Sequence, residues 1–261
     1  MARTYIVTGA GSGIGRATVE IVRERGDRAV GVDLQGADVV ADLATPEGRR
    51  TAAREAVEVA DGSVDAVVAC AGVSLPNAAT VKVNYFGVVE FLEAVRPALA
   101  RSSSPRAAVV SSMASLQHVD EALVEAMLAG DEQEAVRLGS ALAEQGFGPG
   151  YLNYPSSKRA LSRWVRRASI SADWAGAHIP LNAVAPGTVT TPMTADLLAT
   201  AEGREMVDAA VPMPLNHHQG PEVIAKLLVW LTSVENTHCA GQTIYCDGGA
   251  DASLRGDDIW R

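Results

Sequence analysis

A chain of 261 residues with 48% hydrophobic and 20% charged side chains has the make-up of a folded globular protein, long enough to bury a full core without disulfides or metal. Its net charge of −9, with no dense block of Lys and Arg to break it, repels nucleic acid and anionic membranes at long range and excludes both as expected partners. No apolar run is long enough to span a bilayer. The three cysteines, Cys70, Cys239 and Cys246, are odd in number and lack a metal-ligand spacing, so they read as free thiols of a reducing compartment. Met1-Ala-Arg-Thr-Tyr-Ile-Val-Thr-Gly runs straight into a strand and a glycine loop, with no room for a signal peptide, and a cytoplasmic location is the expectation. His217 and His218 point apart with no third ligand and read as a polar loop; Arg163, Arg166 and Arg167 read as a solvated helix face. No metal is expected.

In chain order, short apolar β-branched runs predict strands at 4–8, 28–33, a short one near 39–41, then 64–70, 107–112, 179–184 and 242–246. Between them, helical periodicity or capping predicts helices at 14–25, 46–60, 81–100, 155–175 and 221–232. Thr45 before Pro46 is a hydroxyl cap followed by proline at the first helical position. Strand and helix alternate through one uninterrupted domain, 1–261. The expectation is an α/β, Rossmann-like doubly wound sheet of seven parallel strands with both faces covered.

One stretch breaks the alternation. From about 116 to 150 no strand is predicted, and 119–129 and 131–145 read as a helical hairpin inserted between the fifth strand and the helix that follows it. Gly130 and Gly146 are the stops, and Asp131 with Glu134 has the spacing of a capping box. Leu123, Met127, Leu138 and Leu142 supply the facing stripes. The segment reads as either a surface insertion or a lid or interface element, and its position favours the second. Further on, residues 191–211 read as a mobile substrate lid, with a helix at 195–210 between prolines.

Thr8-Gly9-Ala10-Gly11-Ser12-Gly13-Ile14-Gly15 follows the first strand and opens a helix. Glycines there allow a tight turn and let the backbone approach a pyrophosphate that rests on the helix N-terminus. The next strand ends on Asp33, at the distance where a carboxylate meets the adenosine ribose. A 2′-phosphate would face that charge, and Leu34-Gln35-Gly36 offers no cation to offset it. NAD is therefore expected over NADP.

Tyr154-Pro155-Ser156-Ser157-Lys158 places a phenol and an ammonium one helical turn apart. A free tyrosine titrates near ~10, so as a proton carrier it needs its phenolate stabilised, and a nearby cation does that. The fifth strand, ending Val109-Val110-Ser111-Ser112, brings a hydroxyl toward the same place.

In sequence order, the Thr8–Gly15 loop, Asp33, Asp42-Leu43, Ala71-Gly72, Val83-Asn84-Tyr85-Phe86-Gly87, Ser111-Ser112, Tyr154 with Lys158, Asn182-Ala183-Val184-Ala185-Pro186-Gly187 and Asp247-Gly248-Gly249 resemble the short-chain dehydrogenase/reductase family over essentially the whole chain. The resemblance implies Tyr154 as acid/base and Lys158 as the group that lowers its pKa and binds ribose. It makes Ser112 the residue that orients the substrate oxygen, and Asn84 the holder of a water that links Lys158 to solvent. Ser111 competes for the serine role, but the family motif usually uses the second of the pair. The implied dinucleotide site comprises Gly9, Ser12, Gly13, Ile14, Gly15, Asp33, Leu34, Asp42, Leu43, Ala71, Gly72, Tyr154, Lys158, Pro186, Gly187, Val189 and Thr191. Two departures stand out: Ala69-Cys70 where the family often has two asparagines, and the helical insertion itself.

The run from Val32-Asp33-Leu34 through Ala41–Arg49, the Val83–Gly87 segment and the insertion together are similar to the bacterial 3α-hydroxysteroid dehydrogenase/carbonyl reductase subgroup, some of whose relatives are called coniferyl-alcohol dehydrogenases. That similarity implies a small-molecule substrate: a bulky apolar secondary alcohol or ketone, with an aromatic allylic alcohol as the alternative. A catalytically idle NAD-binding regulator is the competing reading from another class, and a sugar-nucleotide epimerase is disfavoured because its glycine spacing differs. The helix near Pro155 usually packs against its mate in another subunit, and an insertion just before it implies a homodimer with a non-standard interface rather than a tetramer.

Overall fold

Parallel strands buried on both faces must be apolar along their whole length, and the runs that carry this chain's sheet are of that kind. The computed structural model describes residues 2–259; Met1, at the expected leaderless start, and Trp260 and Arg261, the end of the tail, lie outside it. In chain order the elements are β1 (Thr4–Thr8), α1 (Gly13–Glu24), β2 (Arg28–Asp33), β3 (Val39–Val40), α2 (Pro46–Val59), β4 (Ala66–Ala69), α3 (Ala79–Val81), a π-helical turn (Lys82–Gly87), α4 (Val88–Leu99) and β5 (Arg106–Val110). A 3-10 turn (Met113–Leu116) leads into α5 (Glu121–Leu128), α6 (Glu132–Glu144), α7 (Phe147–Tyr151) and α8 (Asn153–Ala168). The chain closes with β6 (Leu181–Pro186), α9 (Ala195–Ala199), α10 (Ala201–Ala210), α11 (Pro221–Leu231), β7 (Thr243–Cys246) and α12 (Ala250–Arg255).

The strands form the expected seven-stranded parallel sheet, and its order is β3-β2-β1-β4-β5-β6-β7. The period of two divides its side chains between two cores. Ile6, Val67, Val109 and Ala183 face the side covered by α2, α4 and α8, while Tyr5, Val7, Val68 and Val184 face α1 and α11. Strand order reverses between β1 and β4, and the carboxyl ends of the strands on either side open a crevice there.

The inserted hairpin packs into this architecture. Leu123 and Met127 are fully buried, Leu138 and Leu142 partly so, and α5 lies along α8. Half of the expected capping box forms: the Asp131 carboxylate accepts from the Glu134 amide at 2.9 Å, but the Glu134 side chain turns to Arg137 at 2.6 Å. α7 was not anticipated; Gly146, at φ +112°, turns the chain into it.

Several boundaries differ from expectation: β6 runs Leu181–Pro186 where 179–184 is expected, the helix expected over 81–100 opens as the π-helical turn, and three others have a clear local cause. The helix expected over 155–175 stops at Ala168, and Trp174 folds back into the core, its indole donating to Glu93 at 3.0 Å. The helix expected over 195–210 breaks at Thr200, whose backbone is extended and whose hydroxyl caps the restarted helix by accepting from the Gly203 amide at 3.0 Å. β5 ends at Val110 rather than Ser112, because Ser112 instead caps the following turn, accepting from Ala114 at 3.1 Å. Among the described residues no helix is long and apolar enough to cross a membrane.

Candidate active site

The nucleotide end is built from close approaches that only glycine permits. A Cβ on Gly9 (φ +69°) would lie 2.8 Å from the Ala71 amide, and one on Gly15 would overlap the Gly9 carbonyl. The ends of β1 and β4 therefore pinch together while α1 starts directly above them. The Thr8 hydroxyl accepts from the Ala71 amide at 3.1 Å, tying the ends of β1 and β4 together. Ser12 sits at the N-cap of α1 without using its side chain as a cap, and no acidic residue lies in the first turn. The helix dipole and its free amides thus remain directed at the crevice, a feature that suits an anion.

Asp33 closes the far edge. Its carboxylate accepts from Gly11 at 2.9 Å and from Leu34 at 2.6 Å, holding the glycine loop against the end of β2. Asp42 makes a tight turn by accepting from Ala44 at 2.8 Å, and Leu43 is buried beside it. On the other wall Thr191 reaches Gly13, and Thr194 fastens the base of the 191–211 segment by donating to the Val189 carbonyl at 2.6 Å.

At the catalytic end α8 begins at Asn153, so Tyr154 and Lys158 lie on successive turns, with Pro155 in the first turn where its missing N–H is tolerated. Lys158 Nζ donates to the Val110 carbonyl at 2.9 Å and lies 5.9 Å from the centre of the Tyr154 ring. The two serines separate cleanly. Ser111 Oγ lies 2.7 Å from Ser162 Oγ and bonds the Lys158 carbonyl, bracing β5 against α8, whereas Ser112 lines the cleft with Tyr154 and lies close enough to its hydroxyl to favour the phenolate.

Every expected site residue except Asn84 lines one cleft. Asn84 is fully buried behind it on the π-helical turn, accepting from the Val73 amide at 2.8 Å and donating to the Val73 carbonyl at 2.9 Å and to Ser157 at 3.3 Å. A Cβ on Gly72 would come within 3.2 Å of Asn84 Oδ1 and 3.6 Å of Lys158 Nζ. Gly72 is therefore the thin partition between those two side chains.

Burial governs the protonation of the pair. It pushes the Lys158 ammonium down to about 8 and holds the Tyr154 phenol above its ordinary value, against the Ser112 hydrogen bond. In the chain without dinucleotide, desolvation outweighs the Ser112 hydrogen bond, so a lowered Tyr154 pKa requires the positive charge that an oxidised nicotinamide would bring. Cys70, also in the cleft, is pushed up to about 12 by burial and is inert as a thiolate.

Sequence reasoning missed some of the lining. Val32, Ala41, Val73, Val83, Pro192 and Met193 also face the cleft and contribute apolar surface; Val32, Ala41 and Val83 lie within quoted motifs without being singled out, and Val73, Pro192 and Met193 belong to none. It also missed Arg49, 1% exposed, whose guanidinium bonds Glu132 and Glu90 and the carbonyls of Leu43, Ala44 and Lys82. A signal existed: Arg49 occupies the buried stripe of α2 with Ala52, Ala53 and Ala56.

Comparison with known proteins agrees with this geometry. A family model described as Enoyl-(Acyl carrier protein) reductase matches residues 9–251. The chain is 35% identical over 257 residues to the 3-alpha-hydroxysteroid dehydrogenase/carbonyl reductase of Comamonas testosteroni, covering 96% of this chain and 97% of that one. It is 27% identical over 265 residues to the cis-4-hydroxycyclohexanecarboxylate dehydrogenase of Sinomonas cyclohexanicum, covering 96% and 97%. Its structure matches the crystal structure of the 3-alpha-hydroxysteroid dehydrogenase from Pseudomonas sp. B-0831 complexed with NADH at a TM-score of 0.88 and 37% identity, over 98% of this chain and 100% of that one. The chain belongs to the short-chain dehydrogenase/reductase family.

Proposed function

We propose that the chain is an NAD(H)-dependent oxidoreductase that interconverts a secondary alcohol on a bulky apolar framework and the corresponding ketone. One observation carries this reading: Ser112, Tyr154 and Lys158 share a single cleft with the glycine loop and Asp33, so a phenol, an ammonium and a dinucleotide cradle face one space. The uncapped start of α1, the glycines that a Cβ would block and the carboxylate at the end of β2 suit a pyrophosphate and an adenosine ribose. When bound, the dinucleotide supplies the hydride acceptor or donor.

The protein's own residues manage the proton. Ser112 orients the substrate oxygen, and Tyr154 takes the hydroxyl proton in oxidation and returns it in reduction. Lys158 holds positive charge beside the phenol and reaches the nicotinamide ribose. Asn84, behind the cleft, holds the Val73 backbone beside Lys158 and would hold the water that links Lys158 to solvent. Gly9, Ser12, Gly13, Ile14, Gly15 and Ala71 form the pyrophosphate wall, with Asp33, Leu34, Asp42 and Leu43 at the adenosine end and Pro186, Gly187, Val189 and Thr191 at the nicotinamide end. Residues 191–211 serve as the lid over the substrate.

Two relatives have names that place a hydroxyl on a saturated ring, which favours a ring alcohol over an aromatic allylic one. The test is a panel of 3α-hydroxysteroids, coniferyl alcohol and simple ketones followed by NADH absorbance. Turnover is expected first with the ring alcohols. Binding of NADH without turnover of any member would favour an idle regulator.

The choice of dinucleotide follows from Asp33. Charge-assisted hydrogen bonds of this kind are worth about 1.5–3 kcal/mol, so Asp33→Ala is expected to lower kcat/KM for NAD by about 10- to 100-fold while leaving the NADP value no worse. Initial-rate kinetics with both dinucleotides check this.

The same reading includes a homodimer and a cytoplasmic location, the latter in keeping with three unpaired cysteines. α5 covers α8, whereas Val223 and Trp230 are exposed on α11, which leaves that helix as the face for a second copy. Light scattering is expected to give the mass of two chains; four would contradict this.

A further inference from the structure

We propose that the inserted helix α6 is the strut that sets both ends of the site. Glu132, through Arg49, fixes the adenine end, and Gly139, through Asn153, fixes the start of the helix that carries Tyr154. The inference rests on the dinucleotide reading given above.

At the first contact Glu132, the opening residue of α6, takes the Arg49 guanidinium in a fork, with its two oxygens at 2.8 and 2.7 Å. Glu90 adds a third carboxylate oxygen at 3.1 Å. So held, the same guanidinium donates to the carbonyls of Leu43 at 2.8 Å and Ala44 at 3.1 Å, in the turn that lines the adenine end, and to Lys82 at 3.3 Å, where the π-helical turn begins. Arg49 lies on α2 and Glu132 is 83 residues away, so the adenine turn takes its shape partly from a segment that never enters the cleft. A planar fork held on both sides fixes orientation as well as charge, which an ammonium would not do.

At the second contact Gly139 is buried where α6 meets α8. Its carbonyl accepts from Asn153 Nδ2 at 3.0 Å, and a Cβ there would overlap Asn153 Oδ1. Asn153 is fully buried and immediately precedes Tyr154; its Nδ2 also donates to the Gly150 carbonyl of α7 at 2.9 Å, and its Oδ1 has no hydrogen-bond partner among the described residues, so α6 and α7 together fix its place. The insertion therefore grips one residue that shapes the nucleotide end and one that seats the phenol.

This division gives a readout that general destabilisation would not reproduce. NADH affinity is measured by fluorescence titration, kcat on the substrate identified above, and melting temperature alongside. Glu132→Gln is expected to weaken NADH binding by about ten-fold with kcat within two-fold, since two of the three carbonyls that Arg49 holds, Leu43 and Ala44, belong to the adenine end. Gly139→Ala is expected to lower kcat by about ten-fold with NADH affinity within two-fold, because a small displacement of a reacting group is costly. Leu128→Ala, in the packing of α5, is expected to lower the melting temperature and to move neither parameter.

NADH affinity within two-fold of wild type in Glu132→Gln, or both α6 variants moving the same parameter, would overturn the proposal. Should Glu132→Gln not fold, wild-type hydrogen exchange decides the matter: NADH must slow exchange over residues 132–140 if α6 and the adenine end are coupled, because linkage is reciprocal, and unchanged exchange there would refute it. A wild-type chain that takes up no NADH would overturn the cofactor reading itself, and the strut with it.

Discussion

Replacing Tyr154 by Phe is expected to lower kcat by a factor on the order of 10³, the range that a positioned acid/base contributes, while NADH affinity stays near wild type. That loss corresponds to about 4 kcal/mol of transition-state stabilisation. The ring and its packing remain, including the neighbouring Tyr151 ring 6.1 Å away, so only the proton-carrying oxygen and its pairing with Ser112 disappear. The pH profile identifies the oxygen. In the free chain burial holds the phenol above its ordinary value, and positive charge brought by the oxidised dinucleotide favours the phenolate. Oxidation by the wild type should therefore rise with pH through an apparent pKa lower than that of the free chain's phenol, and the variant's residual rate should lose that rise. Steady-state kinetics across pH check both parts. A variant that keeps more than a tenth of the wild-type kcat would remove Tyr154 from the chemistry.

The second large effect has opposite signs in activity and stability. Lys158 is 4% exposed, its Nζ donates to one carbonyl, and burial pulls its pKa from 10.5 to about 8. A cation whose folded pKa is depressed binds fewer protons folded than unfolded between those two values. Stability therefore rises with pH across the window from about 8 to 10.5, and the full cost of about 3 kcal/mol is present below it. Lys158→Met fills similar space without a charge. At pH 7 it is expected to melt several degrees higher than wild type, less whatever is lost with the bond to Val110, while kcat falls at least a hundred-fold. The stability gain should shrink as pH rises from 8 to 10.5, where the wild-type lysine is neutral in both states. Calorimetry at pH 7 and pH 10 checks the sign. A variant that is less stable at both would mean that Lys158 supports the fold instead of straining it.

These effects share a cause that runs through the molecule: function sits where local rules are broken. Glycines at the crossing of β1, α1 and β4 forgo side-chain packing, the first turn of α1 forgoes a cap, and a lysine is buried without a carboxylate. The sequence reveals such places well when the parts are close in the chain. The Thr8–Gly15 loop lies within one turn of its helix, Tyr154 and Lys158 lie one turn apart, and the Asp33 register follows from strand length. The parallel sheet is legible for the same reason, since both-sided burial writes itself into each strand as an unbroken apolar run.

What remains illegible depends on contacts made at a distance. Arg49 and Glu132 are 83 residues apart, and nothing near either one announces the partner. The choice between Ser111 and Ser112 needed the position of Ser162, which claims Ser111 for the interior. The end of α8 could not be read because Ile170 and Trp174 continue an apolar period past Ala168, although Ile170 is 81% exposed and Trp174 is buried. The break at Thr200 was hidden by good helix formers on both sides, and a hydroxyl that can cap can equally sit inside a helix. Asn84 was legible as a residue but not as a geometry: its fully buried amide is spent on Val73.

The central claim is that Tyr154 moves a proton while a hydride passes between substrate carbon and nicotinamide. Its most direct measurement uses a ring alcohol deuterated at the carbinol carbon, the wild-type chain and NAD, with the products analysed by mass spectrometry. The account requires ketone and reduced dinucleotide in equal amounts, with the deuterium on the nicotinamide ring and the hydroxyl proton in solvent. Deuterium released to water, or ketone formed without reduced dinucleotide, would contradict it.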